Sequence, residues 1–286
     1  MTFPPNRLRT GLLLTALTLT FMVCGLLLGG NQGLKWAFFL ALVLNLGAWW
    51  FSAELVLART GARVLTPGQM PELEALTDHL AQRAGLPRPR VALVDDPAPN
   101  AFATGRDPQH AVLAVTTGLL KILSREELAG VLGHELAHVR NRDILLGSVA
   151  AVLAGAVMFL ADSVRWGFMF LGGAGRGGGR GALAAILMAF LAPLAAMIIQ
   201  AAISRSREYL ADDDGADIAG TPLGLASALA KLGQRPFPAD PETPTGAPAL
   251  AHLYIVSPLN QRSLGRLFAT HPPLEERIAR LQGTVL

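Results

Sequence analysis

Four long apolar runs constrain this chain more than any other feature: Gly11 to Gly30, Leu34 to Ala53, Ile144 to about Ser163, and Ala182 to Ile203. Each has roughly the 20 residues that a helix needs to cross a hydrocarbon core. None carries a charge deep in its middle; Lys35 and Asp162 sit near ends, where they reach the interface. Only 16% of the 286 residues are charged, against about 25% in an ordinary soluble domain, and the deficit is concentrated in these runs. The first run is preceded by Arg7 and Arg9, as a signal peptide would be. It is longer than the roughly 7–15-residue core of such a peptide, and a second run follows almost at once. A pair of membrane hairpins is the expectation.

Basic residues orient those hairpins. Arg7, Arg9, Arg59, Arg63, Arg140, Arg142, Arg205 and Arg207 flank the runs on one side; Lys35, Arg165, Arg176 and Arg180 lie on the other. The excess places both termini and the larger polar segments in the cytoplasm, with the chain multi-pass in the cell (inner) membrane. The expected organisation is a transmembrane hairpin at 1–55, a first part of the polar domain at 56–143, a second hairpin at 144–203, and the remainder of the polar domain at 204–286. The lone Cys24 lies in the first run and permits no intramolecular disulfide. The net charge of +3 is accounted for by the span flanks, so the lipid bilayer is an expected partner and nucleic acid is not.

The polar segments read as α+β. "PELEALTDHLAQRA" (Pro71–Ala84) is a helix with proline in its first turn. "VALVD" (91–95), "NAFATG" (100–105) and "AVLAVTT" (111–117) are short strands separated by Pro97, Pro99, Gly105 and Pro108. Ser124 and Glu127 form a capping-box pair that opens the next helix. Beyond the fourth run, "SRSREYLADDDGADIA" continues as helix, "TPLGLASALAKLG" is another ending at Gly233, "QRPFPADPETPTGAP" is a loop, and "HPPLEERIARLQ" closes the chain as an amphipathic helix. "GGAGRGGGRG" (172–181) has no preceding strand and no lysine–hydroxyl pair, so it is a turn between spans and not a phosphate loop.

The capped helix carries "HELAH": His134, Glu135 and His138. Residues i and i+4 share a helix face, so both imidazoles can approach one Zn2+ at ~2.0–2.1 Å. Glu135, beside the first ligand, can reach a water at the metal and take its proton. A catalytic zinc needs a third protein ligand and an open position. His79, His110, His252, His271 and the remaining carboxylates are candidates, and Glu208 is the strongest of them. Asp212 lies one turn after it on the same face, where it can hold a ligand imidazole by the free N–H. Asp213 and Asp214 read as a solvated acidic turn, and His79, His110 and His252 as surface or packing residues.

"GHELAHVRNRD", "SRSREYLADDDGA", "NAFATG", "HLYIVSPL" and "FATHPPLEERIARL", in this order and with four spans, resemble the HtpX family of membrane zinc endopeptidases, gluzincins related to the CAAX prenyl proteases. The resemblance covers nearly the whole chain. It implies one zinc per chain held by His134, His138 and Glu208, with Glu135 as general base. It implies that Asn100, Ala101, Phe102, Ala103 and Thr104 form an edge strand that pairs with extended substrate, consistent with the general capacity of an unpaired edge to take a peptide by its backbone. It also implies that His271 stabilises the oxyanion and that Arg277 orients the site; on loop context alone, His271 could equally cap the last helix. A role in membrane-protein quality control under stress is implied in the same way.

His138 lies six residues before Ile144 and Glu208 five after Ile203, which puts both within roughly 10 Å of the membrane boundary at ~1.5 Å per helical residue. The polar run Arg140–Asp143 excludes a mid-bilayer site. The expected substrates are therefore unfolded polypeptide and cytoplasmic segments of membrane proteins. The alternative is a metal-binding membrane scaffold or adaptor, disfavoured because a structural zinc needs no base and recruits a fourth protein ligand. A transporter is disfavoured by the lack of paired charges at mid-span.

Overall fold

A computed structural model of the chain describes residues 5–149, 205–234 and 272–283. The loop expected at "QRPFPADPETPTGAP", the Gly-rich turn, His271, and nearly all of the third and fourth apolar runs lie outside these residues.

Helix α1 (Pro5–Thr60) contains both N-terminal apolar runs and breaks at Gly29 and Gly30, where the backbone leaves helical geometry (Gly30 φ 57°). A positive φ costs glycine little, so the break falls where the sequence supplies two in succession. The arms fold back on each other: the Asn45 amide donates to Thr18 Oγ1 at 2.8 Å and to the Leu14 carbonyl at 3.3 Å. Among the described helices, the arm Gly29–Thr60 is long and apolar enough to cross a membrane. α1 is thus a helical hairpin, and its second arm does not stop at the end of the apolar run. It continues to Thr60, where Val56 and Leu57 are buried against the sheet.

The sheet has the order β1-β2-β4-β3, built from β1 (Arg63–Val64), β2 (Arg90–Val94), β3 (Ala101–Thr104) and β4 (Val112–Thr116). β2 and β4 run parallel, and β3 lies antiparallel to β4 with Ala103 opposite Leu113. The three longer strands fall on the three alanine- and valine-rich runs; the two-residue β1 has no alternation long enough to announce it. Strand alternation sends Ala92, Val94, Phe102, Val112 and Ala114 to the face covered by α1, and Val91, Ala101, Ala103, Leu113 and Val115 to the main core.

That core is closed by helices. α2 (Pro71–Ala84) has the expected limits and ends at Gly85 in the left-handed conformation. The short α3 (Thr117–Ile122), capped by Thr116, was not anticipated. α4 (Arg125–Arg140) begins with both hydrogen bonds of the Ser124–Glu127 capping box. It packs on α5 (Arg205–Ala219) and α6 (Leu223–Gly233), and α7 (Leu274–Leu281) packs on both of these. Gly233 is the last residue of α6 and Gln234 its cap. Asp212, Asp213 and Asp214 are helical, not a turn. Asp214 is also not solvated: Arg140 reaches it at 2.6 Å and Asn141 at 2.8 Å. Asp213 is exposed, as expected, with Arg280 at 3.4 Å.

Candidate metal centre

α4 and α5 touch backbone to backbone. A Cβ on Gly215 would lie 2.7 Å from the Cα and N of His134, and one on Gly133 would lie 2.6 Å from the Gly215 carbonyl oxygen. Real side chains do not approach so closely, so the glycine in each helix is what allows the crossing. It sets His134 and His138 opposite Glu208 and Asp212, which lie two turns and one turn before Gly215.

The two Nε2 atoms are 3.2 Å apart. Glu208 completes a triangle, with one oxygen 3.7 Å from His134 Nε2 and the other 3.8 Å from His138 Nε2. Bonds of about 2.1 Å at tetrahedral angles would space ligand atoms about 3.4 Å apart, so the three groups fit one small divalent cation. Each imidazole is held from behind. Asp212 lies 2.9 Å from His134 Nδ1, and Asp143 lies 3.1 Å from His138 Nδ1. Asp212 shares a helix face with Glu208 one turn on, as its spacing implies. The Asp143 contact was missed: five residues past His138 an acid falls on a different face of a straight helix, and α4 ends before reaching it.

Arg277 is fully buried and forks onto Asp212, Nε at 2.8 Å and Nη2 at 2.7 Å. Burial would raise the Asp212 carboxyl, but the Arg277 guanidinium outweighs it and holds it at about 2. The arginine therefore fixes an ionised carboxylate behind His134. Burial pushes the Glu135 carboxyl above its ordinary range, opposed by the two imidazoles. Burial would lower the His138 imidazole, yet the Asp143 hydrogen bond and the charges of Glu208 and Glu135 lift it to about 9.

Glu135 Oε2 accepts a hydrogen bond of 3.0 Å from the Ala103 N–H on β3. β3 is an edge strand, paired only with β4 in the described sheet. Thr116 N donates to the Asn100 carbonyl at 2.9 Å, so by alternation Phe102 and Thr104 face β4 and the backbone of Ala101 and Ala103 faces the outer edge. That edge lies against the metal triangle. His110 is at the surface, half exposed and paired with Asp107 at 2.7 Å, and His79 is exposed on α2; neither approaches the site. His252 and His271 lie outside the described residues.

Residues 67–285 match the family description Peptidase family M48. The chain is 51% identical over 282 residues to a "Protease HtpX homolog" of Desulfatibacillum aliphaticivorans, covering 97% of this chain and 89% of that protein. It is 52% identical over 280 residues to one of Thermococcus kodakarensis, covering 96% and 94%. Among solved structures it resembles S. mikatae Ste24p with a TM-score of 0.51 and 18% identity, over 93% of this chain; the chain spans only 62% of that longer protein. At that identity the likeness concerns the fold. With the sequence match over most of its length, and a His/His/Glu triangle suited to a divalent cation, the chain belongs to peptidase family M48 and is a metalloprotease of the HtpX type.

Proposed function

We propose that the protein is a zinc-dependent endopeptidase that works at the cytoplasmic face of a membrane and cuts cytoplasmic segments of misfolded or damaged membrane proteins. The observation that carries this reading is the placement of Glu135, which stands beside the His134–His138–Glu208 triangle and touches the outer edge of β3. A bound zinc ion would supply Lewis acidity, polarising the scissile carbonyl and acidifying a water. Glu135 takes the proton from the attacking water and delivers it to the leaving amine. Its raised affinity for a proton suits both halves of that transfer. The Ala103 N–H holds the carboxylate in place until substrate arrives. Ala101 and Ala103 offer backbone groups to an extended substrate from the Asn100–Thr104 segment, which accounts for cleavage with little demand on side chains. Asp212 and Arg277 keep His134 oriented, and His271 is proposed to stabilise the oxyanion.

The membrane setting is supported by the apolar arm Gly29–Thr60, whose end is built into the catalytic core. Arg106, just past β3, stacks over the Trp50 ring at 4.6 Å. Trp and Arg are both common at the headgroup level, which supports setting the end of the proposed substrate strand there. The proposed layout keeps hairpins at 1–55 and 144–203, the split catalytic domain at 56–143 and 204–286, and both termini in the cytoplasm.

The test is cleavage of an unfolded polypeptide by detergent-purified protein, wild type beside Glu135→Ala, with zinc quantified in both. Cleavage by wild type alone, at about one zinc per chain in each, supports the reading. Equal cleavage by both would assign the activity elsewhere and remove Glu135 from the mechanism.

A further inference from the structure

Two imidazoles are held from behind at this site, but by different means. His134 is backed by Asp212 and the buried Arg277. His138 is backed by Asp143, whose other oxygen receives the Arg207 guanidinium at 3.3 Å. Resting on the metal reading above, we propose that Asp143 is a positioning residue for the ligand His138, and that with Arg207 it ties that ligand to both ends of the segment 144–203.

The backbone is bent to make this contact. On a continuing helix, a residue five positions beyond His138 would lie about 140° round the axis from it. Instead α4 ends at Arg140 with Asn141 as its cap, and Arg142 takes φ 59°, the one non-glycine positive φ among the described residues. Such a conformation is disfavoured for a long side chain and persists where the surroundings require it. Helix then resumes at 143, and the turn has swung the Asp143 carboxylate back to His138 Nδ1. An imidazole that binds a metal through Nε2 has its Nδ1–H free, and an acceptor there fixes both the tautomer and the plane of the ring.

The positions of the two partners give the contact its second property. Asp143 opens the short helix at 143–149 that leads into the third apolar run, and Arg207 lies in the first turn of α5, just after the fourth. The same short helix meets the substrate strand, with Ser148 Oγ 2.7 Å from Thr104 Oγ1. A shift of this segment therefore reaches a metal ligand and the end of β3 together.

The test compares full-length wild type with Asp143→Ala, Asp143→Asn and Arg207→Gln, using Asp213→Asn as a surface control. Zinc affinity is measured by competition with a chelator, and the visible absorption of cobalt-loaded protein reports ligand geometry. Asp143→Ala should weaken zinc binding about 10- to 100-fold and alter the cobalt bands. Asp143→Asn and Arg207→Gln should weaken it less, with cleavage recovering as zinc is raised and KM for the polypeptide unchanged. Asp213→Asn should match wild type. A purely structural role would leave affinity and spectrum unmoved in the folded variants. Wild-type affinity and cobalt bands in both Asp143→Asn and Arg207→Gln would overturn the assignment, even if Asp143→Ala fails to fold. Failure of wild type itself to bind zinc would overturn the metal reading, and this inference with it.

Discussion

A guanidinium with no solvent exposure is stable only if its charge is matched, and Arg277 is matched on two donors by Asp212. Removing one member of such a pair strands the other. Arg277→Met should therefore destabilise the fold by about 3–5 kcal/mol, read from denaturant unfolding of detergent-solubilised protein. Arg277→Lys should recover only part of this, because an ammonium cannot fork onto both carboxylate oxygens. Single residues differed in how far sequence revealed them. His134, Glu135 and His138 follow from helical spacing alone, and Glu208 and Asp212 repeat that spacing on a second helix. Asp143 was hidden because its approach depends on the left-handed turn at Arg142, and an arginine gives no sign of adopting one.

Elements meet at this site through small residues and one acid. Gly215→Ala would put a methyl group against the His134 backbone and force α4 and α5 apart. Overpacking of this kind costs about 1–3 kcal/mol. The larger expected effect is on zinc affinity, since Glu208 and Asp212 move with α5; metal titration of the purified variant checks it. Glu127 joins elements differently. It caps α4 through Ser124 and accepts from Ser227 Oγ at 2.7 Å and Lys231 Nζ at 2.6 Å on α6. Burial alone would raise its carboxyl, but the bonds from Lys231, Ser124 and Ser227 prevail and hold it at about 2, below the ordinary 4.5. A carboxyl held low stabilises the fold fully above its ordinary value and loses that contribution as pH falls toward its folded value. The Tm advantage of wild type over Glu127→Gln should thus be constant above about pH 5 and shrink between pH 4.5 and 2. The α2 limits, the capping box and the three longer strands were legible because local signals and packing agree there. The length of β1 and the onset of α3 were not, because tertiary pairing decides them.

The whole molecule is less divisible than its match to a family suggests. The matched region begins at residue 67, yet Val56 and Leu57 of α1 cover Phe102, Ala92, Val94, Val112 and Ala114. A fragment beginning at residue 67 should expose that face, bind hydrophobic dye and aggregate, whereas one beginning near residue 53 should retain a covered sheet; size-exclusion chromatography in detergent distinguishes them. The split of the site along the chain also sets an order of events during synthesis. His134 and His138 are made first, Glu208 and Asp212 some 70 residues later, and Arg277 some 65 residues after Asp212. Stalled chains ending before Glu208 should carry no tightly bound zinc. A newborn copy therefore cannot cut the ribosome, the insertion machinery or its own unfolded length until the chain has passed twice more through the span-forming region and delivered Glu208 to the two waiting histidines.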